Sequence, residues 1–187
     1  MNVYSFGLLP RFAFTLFFCF LLIASNPLFA QLVDNFQDGD FSSNPSWMGD
    51  TGEFIVENEV LRSQGPAASA VLHLSTANTR LNDTEWRFLI DLPFAPSVSN
   101  RAQIYLVSDQ SNLEGDIQGY YIEIGESGDD FIKFYRQDGS SRSLLFTSST
   151  AFSGNVRTRI RVLRDNTGNW QIAADPNGGE SFASEGA

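Results

Sequence analysis

From Thr84 to Asp175 apolar and polar residues alternate with a period of two, and this constrains the chain more than any other feature. Val156, Thr158, Ile160 and Val162 fall on one side of a segment whose other side is Arg157, Arg159 and Arg161. In "EWRFLIDLPF" Trp86, Phe88, Ile90 and Leu92 oppose Glu85, Arg87 and Asp91. Ala102, Ile104 and Leu106 alternate with Gln103, Tyr105 and Val107; Tyr120, Ile122 and Ile124 alternate with Tyr121 and Glu123. A helix would scatter these residues around its axis, whereas a strand sorts them onto two faces. Turn signals separate the runs: Glu57-Asn58-Glu59, Asp138-Gly139 and Asp165-Asn166-Thr167-Gly168. "AASAVLHLST", after Gly65-Pro66, also reads as a strand. Strands at short intervals without helical spacers predict an all-β antiparallel sandwich, one domain over residues 31–187.

The front of the chain is different. Residues 12–24, "FAFTLFFCFLLIA", form an apolar run after Arg11, are broken by Ser25-Asn26-Pro27 and lead to the small residue Ala30. A membrane-spanning helix needs about 20 apolar residues. The run predicts a signal peptide over residues 1–30, with secretion or display at the cell surface and no membrane segment after its removal; an amino-terminal anchor is the competing reading. Cys19, the one cysteine, lies in this segment. The mature chain therefore has no disulfide or thiolate, and stability must come from packing. The chain carries 22 Asp and Glu against 12 Lys and Arg, a net charge of −10. Removing residues 1–30 takes a further cation, Arg11, so nucleic acid and anionic membrane are poor partners.

The segments "VDNFQDGDFSSNPSWMGDTGEFIVENEVLRS", "AQIYLVSDQSNLEGDIQGYYIEIGESG", "IKFYRQDG" and "VRTRIRVLRDNTGNWQIAAD" resemble amino-terminal jelly-roll modules of secreted Gram-negative bacterial surface proteins. These belong to the concanavalin A-like lectin/glucanase superfamily, are similar to laminin-G-type sandwiches and occur ahead of lamin-tail-like domains. The resemblance runs from about Val33 to the end. It implies a binding or spacer module serving downstream domains of the same protein. Such modules continue past the strand that holds Trp170, so the resemblance also implies a sandwich lacking its closing strands; a short variant with a disordered tail is the alternative.

Catalysis finds little support in the residues. His73 is the sole histidine, no Gly-x-Ser-x-Gly elbow surrounds a neighbouring serine, and His73 reads as a strand residue at the sheet surface. One histidine without a mature cysteine argues against a zinc-type site. A glucanase-like glycoside hydrolase is the enzyme alternative, since such chemistry needs only two suitably spaced carboxyl groups. The superfamily's Glu-x-Asp-x-x-Glu strand motif is broken here: Glu123-Ile124-Gly125-Glu126-Ser127-Gly128 has glycine at the central acid, and Glu123 and Glu126 would face opposite ways on a regular strand. No catalytic residue is assigned.

Binding of a polysaccharide or cell-surface glycan is better provided for. Aromatic faces stack on sugar rings while a few polar groups fix hydroxyls. Tyr105 and Tyr121 lie on the polar side of their strands and are the leading candidates, followed by Trp47; Trp86 and Trp170 are expected in the core. Arg157, Arg159 and Arg161 form a basic stripe, read either as a face paired with acids on a neighbouring strand or as a clamp for uronate or sulfate. No cofactor is required. Calcium is the one ion considered, with Asp34, Asp38, Asp40 and Asp50 as ligands, although their spacing is not that of an EF-hand. The competing role for "DNFQDGDF" is a turn, with Phe36 and Phe41 as anchors.

Overall fold

A computed structural model describes residues 32–186; the proposed signal peptide, residues 1–30, lies outside the described residues. The strands in chain order are β1 (Met48–Gly49), β2 (Phe54–Glu57), β3 (Val60–Ser63), β4 (Leu74–Ser75), β5 (Thr84–Leu92) and β6 (Ala102–Ser108). They continue with β7 (Ile117–Ile124), β8 (Asp130–Gly139), β9 (Ser141–Phe152), β10 (Val156–Arg164), β11 (Trp170–Asp175) and β12 (Ala183–Gly186). One four-stranded sheet is the meander β6-β7-β8-β9, and the other has the order β12-β11-β10-β5; both are antiparallel throughout. Two short pairs, β1-β4 and β2-β3, precede them. The architecture is an all-β antiparallel sandwich, as the alternation predicts.

Turn chemistry fixes the register. Glu57 pairs with Val60, and the two residues between them, Asn58 and Glu59, have φ of 53° and 62°. Both values are left-handed, the requirement of the tight hairpin turn that matches strand twist. Asp138 pairs with Ser141 around Gly139, whose φ is 62°. Asp165 closes the β10–β11 turn by accepting from the Thr167 and Asn169 amides at 2.8 and 2.9 Å.

The core forms where the apolar faces of the two sheets meet. Leu106, Ile122, Ile124, Ile132 and Phe134 come from the meander; Ile90, Val156, Ile160, Val162, Ile172 and Ala174 come from the other sheet. Val156, Thr158, Ile160 and Val162, the inward row of β10, are each 0% exposed. Thr158 meets its one polar obligation by donating to the Asp175 carbonyl at 3.2 Å. Burying aliphatic side chains of this size contributes about 1.5–3 kcal/mol each. Trp170 packs against the cluster, edge-on to Phe134 at 4.9 Å, and Trp86 stacks on it at 5.6 Å. Both tryptophans are partly buried core residues, as expected.

Two expectations are corrected. "AASAVLHLST" is strand only at Leu74–Ser75, because the remaining backbone has no neighbouring strand to bond. The segment after Asp175 is not featureless: Ala183–Gly186 forms β12, which pairs with β11. Glu185 on β12 then ties the sheets together, accepting from the Ser149 and Thr150 amides of β9 at 3.0 and 3.1 Å.

Candidate functional site

The face of the meander opposite the core carries a cross-strand aromatic row. Tyr105 of β6 pairs with Tyr121 of β7, which pairs with Tyr135 of β8. Ring centroids are 4.8 Å apart for the first pair and 5.2 Å for the second, where the planes are nearly parallel at 16°. Odd-numbered positions on β7 place Gly119, Tyr121 and Glu123 on this face, while Tyr120, Ile122 and Ile124 enter the core. The Arg142 guanidinium lies over the Tyr135 ring, 5.0 Å from its centroid.

Polar groups flank the row on both sides. Glu123, only 6% exposed, accepts from Gln103 Nε2 at 2.7 Å and from Arg142 Nη1 at 3.2 Å, with Arg101 Nε at 3.4 Å. Two guanidinium groups repay the cost of covering this carboxylate. On the other side Tyr105 donates to Gln137 Oε1 at 2.6 Å, and Gln137 Nε2 donates to the carbonyls of Gly115 and Gly139. Burial above all, then the nearby Tyr121 and Glu123, pushes the Tyr105 phenol up to about 12. Burial likewise raises the Tyr121 phenol, against the opposing hydrogen bond with Arg142. Both hydroxyls therefore keep their protons across the physiological range, and Tyr105 donates its own to Gln137.

An open cleft of about 480 Å³ lies over this face. Tyr105, Gln103, Gln137 and Arg142 line it from the sheet, and Val71, Leu113 and Glu114 line it from the loops. Tyr105 is half-buried and presents aromatic surface. Tyr121, 1% exposed, does not: Tyr105 and Tyr135 cover it, so it backs Tyr105 and is no independent platform. Sequence reasoning found the two tyrosines from their face of the strand. It missed Gln103, Gln137, Arg101 and Arg142, which alternation puts on the same face but which become a set only through register.

The remaining candidates lie elsewhere. Arg157 pairs with Asp91 of β5, and Arg159 Nε lies 3.4 Å from Glu180. Arg161 and Arg87 both lie over the Phe182 ring, at 4.9 and 5.3 Å. Two of the three stripe arginines, Arg157 and Arg159, thus face acids, while Arg161 lies over an aromatic ring. Trp47 packs on Phe36 at 6.4 Å and donates its indole N–H to Asp34 at 2.7 Å. It anchors the amino-terminal segment and does not line the cleft.

The four aspartates do not converge. Asp34 also accepts the Phe36 amide at 2.9 Å, Asp38 accepts the Asp40 amide at 3.3 Å, and Asp40 accepts those of Ser42 and Ser43 at 2.7 and 3.1 Å. The backbone amide of Ser42 foremost holds the Asp40 carboxyl below its ordinary value. This is turn chemistry, with oxygens turned to local backbone. Asp50 alone belongs to a group of potential metal ligands, with His73 and Glu114. His73 precedes β4 rather than sitting within a strand.

Glu126, the second acid of the hydrolase alternative, pairs with Lys133 at 2.5 Å. Glu123 and Glu126 are thus each held by cations, an arrangement suited to anchoring the sheet surface. The site and fold define the chain as a β-sandwich with a tyrosine-lined polar cleft. No protein-family model matches it, and no curated protein or solved structure matches it.

Proposed function

We propose that this chain is a non-catalytic carbohydrate-binding module of an exported protein, and that the cleft at Tyr105 receives the glycan. One observation carries the reading: a partly exposed tyrosine shares an open cleft with fixed amide and guanidinium groups of Gln103, Gln137 and Arg142. Sugar recognition asks for this pairing, an apolar face for the C–H side of a pyranose and oriented donors for its hydroxyls. The aromatic group is held in place before any ligand arrives, which lowers the entropic cost of binding. The resemblance to lectin-like modules of secreted surface proteins supports the same reading, as does the signal-like front segment.

A panel of polysaccharides and cell-surface glycans, probed with the chain and with Tyr105→Ala, tests it. Binding to a glycan class that is lost in the variant, with no turnover, is the expected result. Absence of binding across the panel would leave a spacer, and release of sugar lost in Glu123→Gln would make the chain a hydrolase.

A further inference from the structure

We infer that Asp50, His73 and Glu114 form a site for one divalent transition-metal cation of the zinc class. Among the described residues this is the one group of three potential ligands whose donor atoms all lie within 4.8 Å of one another. The inference stands apart from the glycan reading.

Two of the ligands are fixed by backbone. The Asp50 amide donates to the His73 carbonyl at 3.0 Å, and the His73 amide donates back to Asp50 Oδ2 at 2.8 Å. The adjacent pair, Gly49 and Leu74, belongs to the β1–β4 ladder. Only glycine allows that approach: Gly49 has φ of +126°, and a Cβ there would lie 2.3 Å from the His73 carbonyl oxygen. Ligands locked in this way need little reorganisation to receive an ion.

A second, independent observation comes from the imidazole. His73 Nδ1 is sealed from solvent and makes no hydrogen bond, although Asp50 Oδ2 lies 3.1 Å away. The His73 side chain is 14% exposed. A covered ring nitrogen that makes no hydrogen bond, even to the carboxylate facing it, is costly, and metal coordination would use its lone pair. Glu114 reaches the pair from the β6–β7 loop and is itself exposed.

Ligand chemistry selects the ion. Two carboxylates and a neutral imidazole offset a double positive charge, and the nitrogen favours zinc-class ions over calcium or magnesium, which take oxygen ligands. Three protein ligands leave a coordination position for water. Sequence reasoning set such a site aside because it counted one histidine and no cysteine. The structure instead gathers a mixed nitrogen and oxygen set from three separate segments. Glu114 also lines the cleft, so an ion here would fasten that loop at the cleft's rim.

The test is calorimetric titration of the full chain with Zn²⁺ alone, with Ca²⁺ in parallel, alongside melting curves. Expected are one saturable Zn²⁺ equivalent, weaker Ca²⁺ binding and a higher melting temperature with Zn²⁺. His73→Gln and Glu114→Gln should each weaken Zn²⁺ binding by at least about tenfold. Glu114 is exposed, so its variant should keep the apo melting temperature and remain informative if His73→Gln folds poorly. No saturable Zn²⁺ binding, binding unchanged in Glu114→Gln, or tighter binding of Ca²⁺ than of Zn²⁺ would each overturn the assignment.

Discussion

Tyr105 of β6 donates its phenol hydrogen to Gln137 of β8 at 2.6 Å, reaching past the intervening strand β7. Gly119 of β7 is paired in register with Gln137. A Cβ at Gly119 would also lie 2.4 Å from the Val107 carbonyl oxygen. Tyr105 is held by the tilted ring of Tyr121 and by the amide of Gln137.

Alkaline titration should expose this constraint. The Tyr105 phenol is raised from 10.0 to about 12, by burial first and then by Tyr121 and Glu123. A raised folded value means that the associated stability is fully present below pH 10 and is lost as pH rises toward 12. Phenolate absorbance should therefore show late-ionising tyrosines whose number falls by one in Tyr105→Phe, with Tyr121 still raised by burial, and the variant should lose less stability above pH 10. A wild-type curve with every tyrosine ionising together near the ordinary value would contradict the arrangement.

Neighbouring positions on β10 should differ sharply in what they contribute. Ile160, 0% exposed, lies between the sheets, and Ile160→Ala should cost about 2–5 kcal/mol through lost burial and a cavity. Arg157 is an exposed partner of Asp91, and Arg157→Ala should cost no more than about 1 kcal/mol, because solvent screens such pairs. Urea unfolding of both variants measures the contrast. Equal losses would mean that the two faces of β10 have been misassigned.

That contrast also marks what was legible in the sequence. The inward row of β10 could be read directly, because a strand's side-chain period is fixed by backbone geometry alone. The same holds for Trp86 to Leu92 and for the turns at Asn58, Gly139 and Gly168. Burial of Tyr121 could not be read, since it depends on which residues face it on the adjacent strands, and register determines that. Glu123 was opaque for the same reason: its guanidinium partners come from Arg101 before β6 and Arg142 on β9. The Asp50–His73–Glu114 group is still less visible, because three segments distant in sequence build it and no short motif spans them.

The β2–β3 turn offers a stabilising substitution. Glu59 holds φ of 62° at the second turn position, where a non-glycine residue pays about 1–2 kcal/mol for left-handed backbone. Glycine removes that cost but gains freedom in the unfolded chain, worth about 0.5–1 kcal/mol. Glu59→Gly should therefore raise stability by roughly 0.5–1 kcal/mol, completing the Asn-Gly pair such turns prefer. The side chain gives up only a long contact, Gln37 Nε2 at 3.5 Å. A fall in melting temperature would show that this turn carries no strain.

Acid should weaken the fold through Asp175 at the end of β11. Its Oδ1 accepts the Asn177 amide at 2.9 Å and its Oδ2 accepts the Ser181 amide at 2.8 Å. Those two backbone donors, Asn177 first, hold the carboxyl below its ordinary value of 3.8. A lowered folded value means that the stability is present above pH 3.8 and is lost as pH falls below it. Asparagine offers one acceptor oxygen, so one backbone donor would meet an amide NH₂ instead. Asp175→Asn should thus melt lower than wild type at neutral pH and lose less on acidification from pH 5 to pH 2, a range chosen to span the ordinary value. Some acid sensitivity should persist, because Asp40 and Asp165 are also held low by local hydrogen bonds. Melting curves across that range decide the matter, and parallel curves for the two proteins would remove Asp175 as a source of acid sensitivity.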